Sequence, residues 1–191
     1  MKKLLRHLLL AHRPQDRPDK RVYGPGERDT LTEAANRKTF MRIVEEALTG
    51  GQEQGCLILV DVDHWREIRD QHGAETGDRI LQAAAAVLCE NFRAGDAVGR
   101  LEEDLFGLWV GGISVEHVSS IRRRIAVVND RLLHMDGELP HVTLSAGAAW
   151  GESGESSREL YVQAFKVLQR VKEGGRCGCE IATEERKTYT G

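Results

Sequence analysis

From residue 29 onward the apolar positions alternate between a helical and a strand period. Leu31, Phe40, Ile43, Val44 and Leu48 predict a helix opened by Asp29 or Thr30. Residues 56 to 62 are a continuous apolar run ending in acids, the pattern of a buried strand, and residues 77 to 92 predict an Ala-rich amphipathic helix. Residues 97 to 101 and 105 to 110 read as two strands joined by a tight acidic turn at Glu102, Glu103 and Asp104. Val115 to Met135 follows as a helix, 142 to 149 as a strand, 156 to 173 as a helix and 177 to 182 as a last strand. The order is β-α-β-β-α-β with a leading helix and a trailing helix and strand. That is an α+β chain on the ferredoxin-like plan.

Residues 1 to 28 carry eight basic and three acidic side chains, a local charge of +5 in a chain whose formal net charge is −3, so the remainder carries −8. A basic nucleic-acid binder is excluded on that balance. Leu4, Leu5, Leu8 and Leu9 share one face of a short helix that Pro14 and Pro18 end. Such a helix suits docking on the domain or on a partner better than lying on an anionic membrane, because it lacks an aromatic anchor. The basic start lacks an uninterrupted apolar stretch and a small-residue cleavage site, and no run approaches the ~20 apolar residues of a membrane span. A cytoplasmic protein is expected. The cysteines agree: Cys56 falls in a buried strand, Cys89 on an apolar helix face, Cys177 and Cys179 along the last strand, and none forms a CxxC pair. With seven scattered histidines, these read as structural thiols and not as a metal site.

The apolar strand runs into Asp61-Val62-Asp63, and paired carboxylates at a strand end are suited to hold Mg²⁺ against a phosphate. Other segments extend the pattern. Asp29 to Arg37 (DTLTEAANR) resembles the opening D-x-L-T-G-L-x-N-R of the GGDEF domains of diguanylate cyclases, which join two GTP into cyclic di-GMP. Asp61 to Asp70 (DVDHWREIRD) resembles D-I-D-H-F-K-x-I-N-D, Gly73 through Gly77-Asp78 resembles G-H-x-x-G-D, Val142 to Gly147 resembles V-T-V-S-I-G, and Val171 to Arg176 resembles A-K-x-x-G-R. The resemblance covers residues 29 to 182 and implies a nucleotide-cyclase, palm-like core. It divides the chain into a basic helix and linker (1–28), a degenerate GGDEF domain (29–183) and a tail (184–191).

The departures bear on activity. Glu102-Glu103-Asp104-Leu105-Phe106 stands where the family has G-G-D/E-E-F. The glycines would permit unusual turn angles and close approach of phosphates. Two glutamates remove both permissions and place negative charge near a triphosphate, each pair costing about 1 kcal/mol in water and about 4 at an effective dielectric near 20 for roughly 4 Å separation. Leu105 replaces an acid that the family uses for metal binding, leaving Asp61 and Asp104. Arg69 replaces an asparagine that helps recognise guanine, and arginine offers no acceptor. Asp78, Lys172 and Arg176 match the family's guanine and phosphate contacts and are read as inherited, solvated charges. No catalytic residue and no metal site is therefore assigned. Mg²⁺ would enter only with residual GTP binding.

Arg93-Ala94-Gly95-Asp96 is an RxxD, five residues before the turn, the spacing of the family's inhibitory site for cyclic di-GMP. Arginine's planar fork can bond the O6/N7 edge of guanine and stack on its face, and the aspartate can accept from the base. The plain alternative is an Arg/Asp pair capping the preceding helix. Among Arg122, Arg123 and Arg124, the last falls where some relatives place a second product-binding arginine. The expectation is a catalytically inactive cyclic di-GMP receptor using Arg93, Asp96 and Arg124. A protein partner would meet the amino-terminal helix or the domain surface, and a homodimer is compatible with the sequence. A nucleotide-independent interaction module, and then a weak cyclase or GTP-binding domain, are the alternatives.

Overall fold

The structure, a computed structural model, describes residues 23–50, 54–93, 95–113, 118–135 and 137–182. The amino-terminal helix and the tail expected from the sequence lie outside them. Among the described residues a six-stranded sheet carries five helices: β1 (Ala35–Asn36), α1 (Arg37–Thr49), β2 (Gly55–Val62), α2 (Trp65–His72), α3 (Ala74–Asn91), β3 (Ala97–Arg100), β4 (Leu105–Gly111), α4 (Val118–Leu133), β5 (Leu144–Gly151), α5 (Ser157–Glu173) and β6 (Cys179–Ile181). The strand order is β1-β3-β4-β2-β5-β6. The inner four strands pair antiparallel in the ferredoxin-like arrangement, and β1 and β6 add parallel edges.

β2 is central and wholly buried, which is why its sequence is apolar without alternation. Its side chains still divide between two layers: Cys56, Ile58, Val60 and Val62 meet the α2–α3–α4 side, while Leu57 and Leu59 meet α1 and α5. Burial pushes up the thiols of Cys56 and Cys179, the latter to about 12, so both are apolar filler. Cys177 differs from the expectation, because β6 begins only at Cys179 and Cys177 sits in the preceding turn.

The leading helix begins later than expected. Asn36 caps α1 by accepting from the Thr39 amide at 3.0 Å. Asp29 instead accepts from the amide and hydroxyl of Thr32, at 2.9 and 2.7 Å, and pairs with Arg100 at 3.2 Å. The helix expected over 77 to 92 is preceded by a second one, α2, and Gly73, at φ +89°, makes the elbow between α2 and α3. Trp65 of α2 closes that elbow by donating its indole N–H to the Gly77 carbonyl at 3.1 Å. On the other face α5 lies against β5 so closely that a β-carbon on Gly147 would stand 2.1 Å from the Leu168 amide nitrogen. The two elements are therefore in main-chain contact.

Candidate functional site

The carboxyl end of β2 meets the amino ends of β4 and β5, bringing Asp61, Asp63 and the 101–104 turn together. Asp61 and Asp63 take different partners. Asp61 Oδ1 accepts from Lys172 Nζ at 2.8 Å, with only 26% of the lysine and 12% of the aspartate side chain exposed. Lys172 is thus not the solvated charge expected from the sequence, because the last turn of α5 carries it over the strand end. Burial pushes the Asp61 carboxyl above its ordinary value, outweighing the Lys172 ammonium, with Asp104 and Asp63 adding repulsion. Asp63 accepts from the hydroxyls of Ser145 and Thr143, both at 2.7 Å, and from the Cys177 amide at 3.2 Å. Arg176 Nε lies 3.9 Å from Asp63 Oδ1. The carboxylate ties β2, β5 and the turn after α5.

Leu105 is the cross-strand neighbour of Asp61 and is buried with the cluster beneath α1 and α5. Its position is apolar and closed. The turn itself forms through Leu101 and Glu102 amides donating to the Leu105 carbonyl. Glu102 is held by Arg37 at 2.8 Å and approached by the Tyr161 hydroxyl at 3.5 Å. Glu103 has Arg66 at 3.8 Å and Arg69 at 3.9 Å, and Arg69 lies 4.7 Å over the Trp65 ring. The negative charge read from the sequence is therefore partly met within the protein. Asp104 is half-buried, and Asp78 is exposed on α3.

A divalent cation here would need several oxygen donors with available lone pairs. Asp61 is committed to an ammonium, Asp63 to three donors, Leu105 has none to offer, and Asp104 alone remains uncommitted to either pair. The donor set does not fit a resident metal, and among the described residues no cluster of three or more His, Cys, Asp or Glu could hold one.

At the other end of β3 the RxxD residues come together with Arg124. Asp96, 7% exposed, accepts from the Arg93 amide at 2.9 Å and from Arg124 Nη1 at 3.4 Å. Arg124 lies 5.6 Å over the Phe92 ring. Burial pushes the Asp96 carboxyl up, opposed by the Arg93 amide and by the charges of Arg124 and Arg93. Arg93 is exposed. Asp96 thus ties the Arg93 main chain to the Arg124 side chain. Arg37, Arg66, Phe92, Thr143 and Ser145 were not singled out in the sequence. Ser145, a lone hydroxyl in an otherwise apolar strand, was the readable signal among them.

Residues 27–177 match the family described as "Diguanylate cyclase, GGDEF domain", and the chain belongs to that family. It is similar to the probable diguanylate cyclase DgcE of Escherichia coli K12, 30% identical over 153 residues, covering 78% of this chain and 14% of that protein. It is also similar to diguanylate cyclase DgcM of the same organism, 31% identical over 166 residues, covering 85% of this chain and 40% of that one. The chain thus spans well under half of either relative. The GGDEF domain of DgcB from Caulobacter crescentus, crystallised with c-di-GMP, has the same fold at a TM-score of 0.74 and 23% identity, covering 84% of this chain and 98% of that one. Among the described residues no helix is long and apolar enough to cross a membrane.

Proposed function

We propose that this GGDEF domain is catalytically inactive and serves as a cyclic di-GMP receptor through Arg93 and Asp96, assisted by Arg124. The observation that carries the reading is the convergence of Arg93 and Asp96 with Arg124, 28 residues beyond Asp96, on one partly open patch with an exposed arginine. DgcB's GGDEF domain was crystallised with that dinucleotide, which supports looking for it here. Inactivity is supported by Leu105 buried in place of an acid, by the Lys172–Asp61 pair, and by two glutamates in the turn. Neither metal nor guanine recognition is complete without Leu105 and Arg69 being changed.

Calorimetric titration with cyclic di-GMP and with GTP·Mg²⁺ in parallel tests the reading. Heat with the dinucleotide, and no cyclic di-GMP by chromatography after long incubation with GTP and Mg²⁺ or Mn²⁺, is expected. No heat from the dinucleotide would favour a nucleotide-independent interaction module. Product that vanishes in Asp61→Ala would restore the cyclase.

A further inference from the structure

Among the described residues four large apolar side chains stand exposed: Val127 and Leu133 on α4, Val162 and Phe165 on α5. The first two, six residues apart, fall on different sides of their helix, whereas Val162 and Phe165, three apart, adjoin. They are 45% and 38% exposed, while Leu160, Ala164 and Leu168 are buried on the side that α5 turns to the sheet. Tyr161 stacks on Phe165 with ring centroids 6.3 Å apart and 8° between planes, and itself packs against that buried cluster. It thereby links the core to the outer surface of α5. Ser156, Arg158, Glu159, Val162 and Gln163 line a shallow, open depression there. The rim is acidic. Residues 152–159 hold Glu152, Glu155 and Glu159 against Arg158, and Glu45 joins them from α1 by accepting from the Ser157 amide at 3.3 Å.

The complement is carried by the same chain. Residues 1–13, outside the described residues, hold Lys2, Lys3, Arg6 and Arg13 and no acid, and Leu4, Leu5, Leu8 and Leu9 recur at helical spacing. The described chain begins on the matching face of the sheet: Tyr23 packs against the cluster beneath α1 and α5, and Glu27 pairs with Arg42 of α1 at 2.9 Å. α1 and α5 are neighbours on that face. Leu9 precedes Tyr23 by 14 residues, a reach of about 45 Å when extended, whereas the whole of α5 is about 25 Å long. Size favours a tethered occupant over a second copy. Two exposed side chains fall far short of the roughly 800 Å² per partner of a stable interface, but a short tether supplies an effective concentration in the millimolar range and needs far less contact. We infer that residues 4–9 dock through their leucines on the Val162–Phe165 face of α5, with Lys2, Lys3 and Arg6 directed to the glutamates of its rim. This strap lies on the sheet face opposite the one that α4 covers with Arg124, so neither it nor the RxxD cluster requires the other.

Limited trypsin digestion of the full chain, followed by mass spectrometry, reads how often the segment is released, since cleavage tracks the open population when opening is fast. Cleavage after Arg6 should be about tenfold slower in the wild type than in Val162→Asp/Phe165→Asp, the ratio that corresponds to about 1.4 kcal/mol of docking. The difference should not depend on protein concentration. Conversely, hydroxyl-radical oxidation of Phe165 should rise severalfold in Leu4→Ser/Leu5→Ser/Leu8→Ser/Leu9→Ser, a variant that alters nothing within residues 23–182. Equal cleavage after Arg6 in the wild type and the α5 variant, or equal oxidation of Phe165 with and without the leucines, overturns the inference. Protection that appears only as protein concentration rises overturns it too, by giving the face to a second copy. Should the α5 variant fail to fold, the oxidation of Phe165 decides alone.

Discussion

The segments on either side of β3 use the same residue types to opposite ends. After β3, at the 101–104 turn and the adjoining strand ends, aspartate, glutamate, lysine and arginine are matched to one another inside the protein. Before β3, Asp96 is tied down by Arg93's amide and by Arg124, yet the Arg93 side chain is left facing solvent. A charge whose partner is internal supports the fold. A charge anchored through its backbone, with its side chain exposed, is what the proposed dinucleotide contact requires. The difference lies in commitment and not in composition.

The largest expected effect breaks the first half of the comparison. Asp63→Ala removes the acceptor for Thr143, Ser145 and the Cys177 amide, and a loss of about 2–4 kcal/mol in denaturant unfolding is expected from leaving these donors unsatisfied. Asp61→Asn should cost less, because the amide oxygen can still accept from Lys172 Nζ. If the two variants are equally stable, Asp63 is not the strut described above.

The second half is tested by Arg93. Arg93→Ala should weaken cyclic di-GMP binding tenfold or more, on the order of 1.5–3 kcal/mol for the lost charge-assisted bonds. Arg93→Lys should do nearly the same damage, since lysine lacks the fork and the stacking plane. Asp61→Ala should leave the affinity unchanged. Equal affinity in wild type and Arg93→Ala would put the ligand elsewhere.

A subtler result concerns whether the turn alone silences the site. Glu102→Gly/Glu103→Gly should still form no cyclic di-GMP from GTP, because Leu105 and Arg69 remain. Adding Leu105→Glu and Arg69→Asn gives the smallest set in which turnover is worth measuring. Product from the double glycine variant would show that Leu105 has been misread.

The smallest effect separates stability from binding at one residue. The Asp96 carboxyl is raised in the folded protein, so between its unfolded and folded values the native state binds more protons, and its contribution to stability declines as pH rises through that window. Asp96→Asn should therefore remove this mildly acidic slope and leave stability near neutrality little changed, while still weakening the dinucleotide. Urea unfolding from pH 4 to 7 reads the slope. A variant that is much less stable at pH 7 would make Asp96 a structural anchor only.

Strands β2 to β6 were legible because they are bounded runs, β2 in particular being apolar along nearly its whole length, whereas the two-residue β1 fell inside the expected leading helix. The start of α1 was not legible, because Asp29, Thr30 and Asn36 are all competent caps. Asp29 is instead taken up by Thr32 in a local turn and by Arg100, 71 residues away. α2 escaped notice because only Trp65 and Ile68 of its eight residues are apolar. In the site, the RxxD spacing marked residues that the fold does bring beside Arg124. The Lys172–Asp61 contact, spanning 111 residues, was invisible to any local pattern. Asp61 and Asp63 look equivalent as a DxD, and Lys172 on the one and Thr143, Ser145 and Cys177 on the other distinguish them.

Gly147 has a consequence for how far such a site can drift. The seat of α5 on β5 is set by main chain against main chain, with no room for even one added carbon between them. The frame that carries Lys172, the Gly174–Gly175 turn and Arg176 is therefore fixed by the sheet and not by whatever those side chains hold. A domain built this way can exchange an acid for Leu105 and glycines for Glu102 and Glu103 without losing its architecture. The fold is insured at a place remote from its chemistry, which leaves the chemistry free to change.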